Sequence, residues 1–150
     1  MGCGMKLADL DDINLLTALL VGEAAGEPFL GKIAVAWVVR NRLTDPRWPN
    51  QWRDVMLQKQ QFSCFNGLPR DDSDIPQPLM KWLFINHFND LWWRECKYAA
   101  HGVLYHWVGD PTEGSNHYLN PKKLKVLPSW AKDNPDKITV VIGDHDFYRL

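Results

Sequence analysis

The sequence predicts a single α+β domain, mostly helical, with a small β element near its C-terminus. Three observations carry that expectation. The chain has 150 residues, 45% of them hydrophobic and 23% charged, enough to bury one core without a metal or disulfide staple. Apolar residues recur every three or four positions through much of the first hundred residues. One β-branched run, Ile138-Thr-Val-Val-Ile142, stands near the end. Residues 1–9 read as a short N-terminal tail and 10–150 as the domain.

The elements follow in order. Leu10, Ile13, Leu16, Leu20 and Ala24 mark a first helix, with Asp9, Asp11 and Asp12 supplying cap chemistry. Gly26 and Pro28 end it. A second helix over 30–43 is apolar nearly all round, through Ile33, Ala34, Trp37 and Val38, as expected of a helix buried in the core. Thr44-Asp45-Pro46 stops it, and residues 52–57 suit a short helix. Residues 58–77 hold Gly67, Pro69 and Pro76 and read as a long irregular loop, a feature that compact domains usually keep for function. Helical pattern returns over 79–103, interrupted near 86–90. The Gly-, Pro- and Asn-rich stretch 109–136 leads to a strand over 137–142. No repeat or linker interrupts the chain.

Charge and composition exclude several classes. Seventeen basic against 18 acidic side chains argue against a nucleic-acid binder, which needs massed Lys and Arg. No apolar run approaches the ~20 residues of a membrane span, so no stable membrane insertion is expected. The N-terminus reaches three aspartates without a hydrophobic stretch and does not read as a secretory signal. Cys3, Cys64 and Cys96 form no CxxC pair, and reduced thiols in a chain made in the cytosol are expected. Tryptophan is abundant, with eight residues. Trp82, Trp92 and Trp93 lie at helical spacings and read as core. Trp48, Trp52, Trp107 and Trp130 lie in or beside irregular segments, where stacking on a sugar ring competes with local packing.

Glu23 stands out on chemical grounds. On a helix it shares a face with Leu16, Leu19 and Leu20. An apolar environment disfavours a charged carboxyl, and that is how a carboxyl becomes a general acid near neutral pH. Glu27, four residues on, adds a like charge on the same side. The competing reading pairs Glu23 with Arg40 or Arg42 in a buried ion pair. The histidines His87, His101 and His106 show no metal-ligand spacing, so no metal and no cofactor are expected. Ser63 and Cys64 lack a nucleophile elbow. The run Lys122-Lys123-Leu-Lys125 reads as a solvated face that can also meet an anionic polymer.

Several motifs in order then resemble one family. Gly22-Glu-Ala-Ala-Gly-Glu27 precedes an apolar helix ending Val-Val-Arg-Asn-Arg42. Gln61-Phe-Ser-Cys64, Asp110-Pro-Thr-Glu-Gly-Ser-Asn-His-Tyr-Leu-Asn-Pro121, Pro128-Ser-Trp130 and Ile142-Gly-Asp-His-Asp-Phe-Tyr-Arg149 follow. Together they resemble the SleB/CwlJ-type cell-wall hydrolases, which include the spore cortex-lytic enzymes. The resemblance implies a lysozyme-like, mostly helical fold that cleaves peptidoglycan glycan strands, with Glu23 as the general acid. It also implies that Gln61, Phe62, Ser63, His117, Tyr118, Asn120 and Trp130 bind substrate. The chain departs from the family's usual Arg at Ala25, and has Asn116-His-Tyr-Leu119 in place of Thr-His-Tyr-Tyr.

Two routes stay open for the glycosidic bond. A lytic transglycosylase uses one carboxyl as acid and then base, while the muramic acid C6 hydroxyl attacks its own C1. A hydrolase adds a second carboxylate, for which Glu27, Asp71, Asp72 and Asp74 are candidates. A non-catalytic glycan-binding or virion domain is the alternative from another class. A monomer of the phage endolysin type is expected, made in the cytoplasm and reaching the wall after holin-type release.

Overall fold

The computed structural model describes residues 4–58, 61–66, 68, 73–76 and 91–150. Cys3, Asp71, Asp72, Trp82, His87 and the helical pattern over 79–90 lie outside them. Helix α1 (Asp12–Ala24) begins where the Asp11 side chain accepts the Asn14 N–H at 2.9 Å, an N-cap that satisfies an otherwise orphaned donor. Leu15, Leu16, Leu19 and Leu20 on it are fully buried. Helix α2 (Phe29–Leu43) is buried along most of its length, as its apolar circumference predicts. Helix α3 (Trp52–Met56) and helix α4 (Leu91–Leu104) close the bundle, with α4 laid across both α1 and α2.

The C-terminal third adds a three-stranded antiparallel sheet of β1 (His117–Leu119), β2 (Ile138–Ile142) and β3 (His145–Tyr148), in the order β1-β3-β2. Strand β2 lies where the β-branched run predicts it. Tyr118 pairs with Phe147 across β1 and β3, and an irregularity between Ile138 and Val140 bends β2. The sheet separates two apolar clusters. Phe147 and Tyr118 join the helical core, while Leu119 and Tyr148 pack with Ala131 and Trp130 from the short helix α5 (Ser129–Lys132). Leu119, where the family pattern has Tyr, thereby serves packing. Asn116 ties the C-terminus to β1, donating to the Leu150 carbonyl at 2.9 Å and accepting its N–H at 3.0 Å.

Two features depart from the expectations. Residues 5–9 are not a tail. A 3-10 turn over Leu7–Asp9 buries Leu7 at 1% exposure, and the Arg53 guanidinium donates to the carbonyls of Leu7 and Leu10. The apolar α2 also contains a fully buried Lys32. Its ammonium donates to the Glu27 carbonyl at 2.7 Å and to the Glu95 carboxylate at 2.8 Å, so the charge is paired and bonded. That contact fixes the α1–α2 connection, which carries Glu27 and follows Glu23 directly.

Candidate active site

Glu23 lies in the last turn of α1, where the leucine face runs out of the core and into a cleft of about 440 Å³. Gly22, Glu23, Arg42, Gln61, Ser63, Trp130 and His145 line that cleft, together with the edge strand β1 and the turn after it. Among the described residues lining it, Glu23 supplies the only carboxyl. Two donors from the turn at Ser63–Phe65 hold this carboxyl. The Cys64 N–H and the Ser63 hydroxyl each reach Oε1 at 3.2 Å. Neither arginine of the competing ion-pair reading meets it. Arg40 donates to the Val103 and Leu104 carbonyls. Arg42 donates to the Asn116 carbonyl at 2.8 Å and to Gln61 Oε1 at 3.2 Å.

The remaining residues from the sequence divide clearly. Gln61, Ser63, His117, Tyr118, Asn120 and Trp130 all line the cleft with Glu23. Phe62 does not, and in place of the expected substrate contact it has a core role. It is 1% exposed, and its ring packs in the core with the Arg42 guanidinium 5.3 Å from its centroid. Phe62 has extended backbone just ahead of the 3-10 turn at Ser63–Phe65, and its ring turns inward between exposed Gln61 and Ser63. Of the tryptophans in irregular segments, Trp130 reaches the cleft and stacks near His117, ring centroids 4.8 Å apart. Trp48 packs against Arg42 and His117. Trp52 packs on the core from α3, and Trp107 stacks on Tyr105 beside α4.

Glu27 borders an adjoining pocket shared with Glu23, Asn120, Lys123 and His145. It is not among the residues that line the main cleft. The Asp144 N–H donates to both its oxygens, at 3.1 and 3.3 Å, and its side chain is only 10% exposed. Gly143 makes this seat possible. It begins the tight β2–β3 turn at φ +59°, and a Cβ there would overlap the Glu27 carboxyl. Asp74, the described member of the loop aspartates, lies beside Gly4, where Ile75 N–H bonds to the Met5 carbonyl.

Two residues of the site, Arg42 and His145, are not singled out by the sequence as functional, and a third, Lys123, stands there only as part of a lysine run. Arg42 is 4% exposed, and burial lowers its pKa to about 10, which leaves it charged at neutral pH. It joins α2 to the Gln61 loop and to β1. His145, at the start of β3, is 4% exposed and lies with Nδ1 3.3 Å from Glu27 Oε1. Lys123, within the lysine run, lines the cleft, while Lys122 pairs with Asp144 at 2.6 Å. The motif beginning at Asp110 is structural at its start. Asp110 accepts the N–H groups of Thr112 and Gly114 and the Asn41 amide, and so shapes the approach to β1.

The electrostatics favour neutral rings beside a carboxyl. Burial pushes the His117 pKa down to about 4, with Arg42 and Arg47 acting in the same direction. Burial raises the Tyr118 phenol well above its usual value, and the neighbouring Glu23 charge adds to this. Both groups therefore face the cleft uncharged at neutral pH.

A family model described as Cell Wall Hydrolase matches residues 26–148. The spore cortex-lytic enzyme of Bacillus subtilis is 42% identical over 137 residues, covering 91% of this chain and 37% of that protein. Among solved structures, the catalytic domain of the germination-specific lytic transglycosylase SleB from Bacillus anthracis superposes with a TM-score of 0.67 at 25% identity, covering 92% of this chain and 93% of that one. The catalytic domain of the Bacillus cereus SleB protein gives 0.65 at 25% identity, over 99% and 100% of the two chains. The chain spans less than half the length of the curated relatives it matches.

Proposed function

The chain belongs to the cell wall hydrolase family, and from that premise we propose that it cleaves the MurNAc–GlcNAc β-1,4 bond of peptidoglycan as a lytic transglycosylase, with Glu23 as general acid and base. The observation that carries this reading is a single carboxyl, among the described residues, at the end of a buried helix and lining a polar cleft. Cleavage requires a proton on the leaving oxygen and stabilisation of an oxocarbenium-like C1. Glu23 delivers the proton, and the Ser63 hydroxyl and Cys64 N–H then hold the carboxylate in place. Attack by the muramyl residue's own C6 hydroxyl forms a 1,6-anhydro end and needs no water. The reacting oxygen is already tethered, which gives it the advantage of an intramolecular nucleophile.

The rest of the cleft suits a glycan. Gln61 and Asn120 offer amides, Ser63 and Tyr118 hydroxyls, and Trp130 an aromatic face. Hydrolysis with Glu27 as second carboxylate has less support. That carboxyl is largely buried and occupied by the Asp144 N–H. Mass spectrometry of fragments released from purified peptidoglycan tests the proposal. Anhydro-muramic acid ends, lighter by one water than hydrolytic fragments, are expected. Reducing muramic acid ends as the main product would overturn the transglycosylase route and leave Glu23 as the acid of a hydrolase.

A further inference from the structure

His145 is a buried, titratable side chain of the cleft for which a one-carboxyl mechanism has no use. It begins β3, immediately after the turn that seats Glu27, and the elements around it constrain its ring on several sides. The Tyr118 ring meets it edge-on, with centroids 5.0 Å apart, and Phe147 lies at 6.1 Å. Nδ1 is sealed from solvent and lies 3.3 Å from Glu27 Oε1, although not aligned for a full hydrogen bond. Nε2 has no hydrogen-bond partner among the described residues and is not sealed, and His145 lines both the cleft and the adjoining pocket, each shared with Glu23. A carboxylate 3.3 Å from one ring nitrogen, with the other nitrogen unpartnered, can orient a histidine base once the pair aligns, as catalytic contacts that are loose without substrate do.

The charged groups facing the ring are Glu27, Glu23 and Asp144, which favour the imidazolium, and Lys123, which opposes it. Burial is the largest influence and holds the pKa below the ordinary histidine value. The ring is therefore neutral at neutral pH, and a carboxylate stands beside it to offset a proton once taken up.

We propose that His145 is a second catalytic residue, whose Nε2 accepts the proton of the muramyl C6 hydroxyl while Glu27 positions the ring from behind. The inference rests on the transglycosylase reading above, keeps Glu23 as its acid and moves the base step from Glu23 to His145. Glu23 transfers its proton to the glycosidic oxygen as the C1–O bond breaks. The C6 oxygen forms the new bond to C1, and its proton passes to Nε2. The imidazolium then returns a proton to solvent and the Glu23 carboxylate regains one, so the enzyme resets with no net change. An alcohol is a weak nucleophile until its proton begins to leave, and a base separate from the acid can take that proton while Glu23 is giving up its own.

Rates on purified peptidoglycan, measured across pH with His145→Gln, His145→Ala and Glu27→Gln, test this. His145→Gln should lower kcat by about a hundredfold or more, as loss of a general base does, with KM little changed. The fall in wild-type activity toward acid pH should vanish in His145→Gln. Added imidazole should restore part of the activity of His145→Ala, and Glu27→Gln should move the acidic limb to lower pH, because the Glu27 charge raises the His145 pKa. A His145→Gln rate within a few-fold of wild type overturns the proposal. So does a slow variant that keeps its acidic limb while His145→Ala ignores imidazole, which marks His145 as structural only. Reducing ends from the wild type overturn the transglycosylase reading and this step with it. Anhydro ends together with an unaffected His145→Gln overturn only the role of His145.

Discussion

Replacing Gly143 with alanine should cost both stability and activity, and the structure sets the size of each effect. The residue holds φ at +59°, a conformation in which a Cβ costs roughly 1–2 kcal/mol. The added methyl would also overlap the Glu27 carboxyl and stand 2.9 Å from Pro28 Cδ, in a ring that cannot swing aside. Glu27 must then leave its seat and give up the Asp144 N–H, a charge-assisted bond worth about 1.5–3 kcal/mol. The combined loss is about 2.5–5 kcal/mol, and at about 2–4 °C per kcal/mol for a domain of this size the melting temperature should fall by at least roughly 5 °C. Lytic activity should fall as well, because Glu27 and His145 lose their register beside the cleft. Gly26→Ala is the internal control. A Cβ there meets nothing within 4 Å, and the change should stay within about 0.5 kcal/mol. Circular dichroism melts and denaturant titrations of both variants decide the matter. If Gly143→Ala melts with Gly26→Ala, the seating of Glu27 by this turn is wrong.

Four further outcomes are expected. Phe62→Ala should destabilise the fold by about 3–5 kcal/mol, measured by denaturant unfolding, whereas Trp130→Leu should raise KM for peptidoglycan severalfold with kcat largely kept. Arg42→Met should unseat Gln61 and loosen β1, seen as a lower melting temperature and weaker binding to insoluble peptidoglycan, while Arg42→Lys keeps the charge and loses the two-directional bonding. Stability should also fall as pH drops from about 6.5 toward about 4. His117 titrates near 6.5 when unfolded and about 4 when folded, so within that window the unfolded chain binds more protons and gains on the native state. Melts of His117→Gln should show a shallower acid decline than wild type, and an unchanged slope would remove His117 from the account.

The sequence carried much of this arrangement because its strongest signals are local. The apolar circumference of α2, the Asp11 cap, the leucine face ending at Glu23 and the β-branched run of β2 all depend on near neighbours. What escaped depends on distant partners. Leu7 is core only because Arg53, far along the chain, holds the backbone around it. Lys32 is tolerated in an apolar helix because Glu95 and the Glu27 carbonyl meet its ammonium. The motif puts Phe62 on the glycan, but the 3-10 turn that follows it and the core beneath it draw the ring inward. His145 lies in a polar run, Gly143-Asp-His-Asp146, whose strand character appears only when β3 pairs on both sides.

The central claim is that the Glu23 carboxyl performs the chemistry of this cleft. Glu23→Gln keeps the side-chain volume, and its amide oxygen can still accept from Ser63 and Cys64, so the melting temperature should match wild type. The initial rate of fragment release from purified peptidoglycan by that folded variant should fall by at least about a hundredfold. A folded Glu23→Gln protein that releases fragments at close to the wild-type rate would contradict the account.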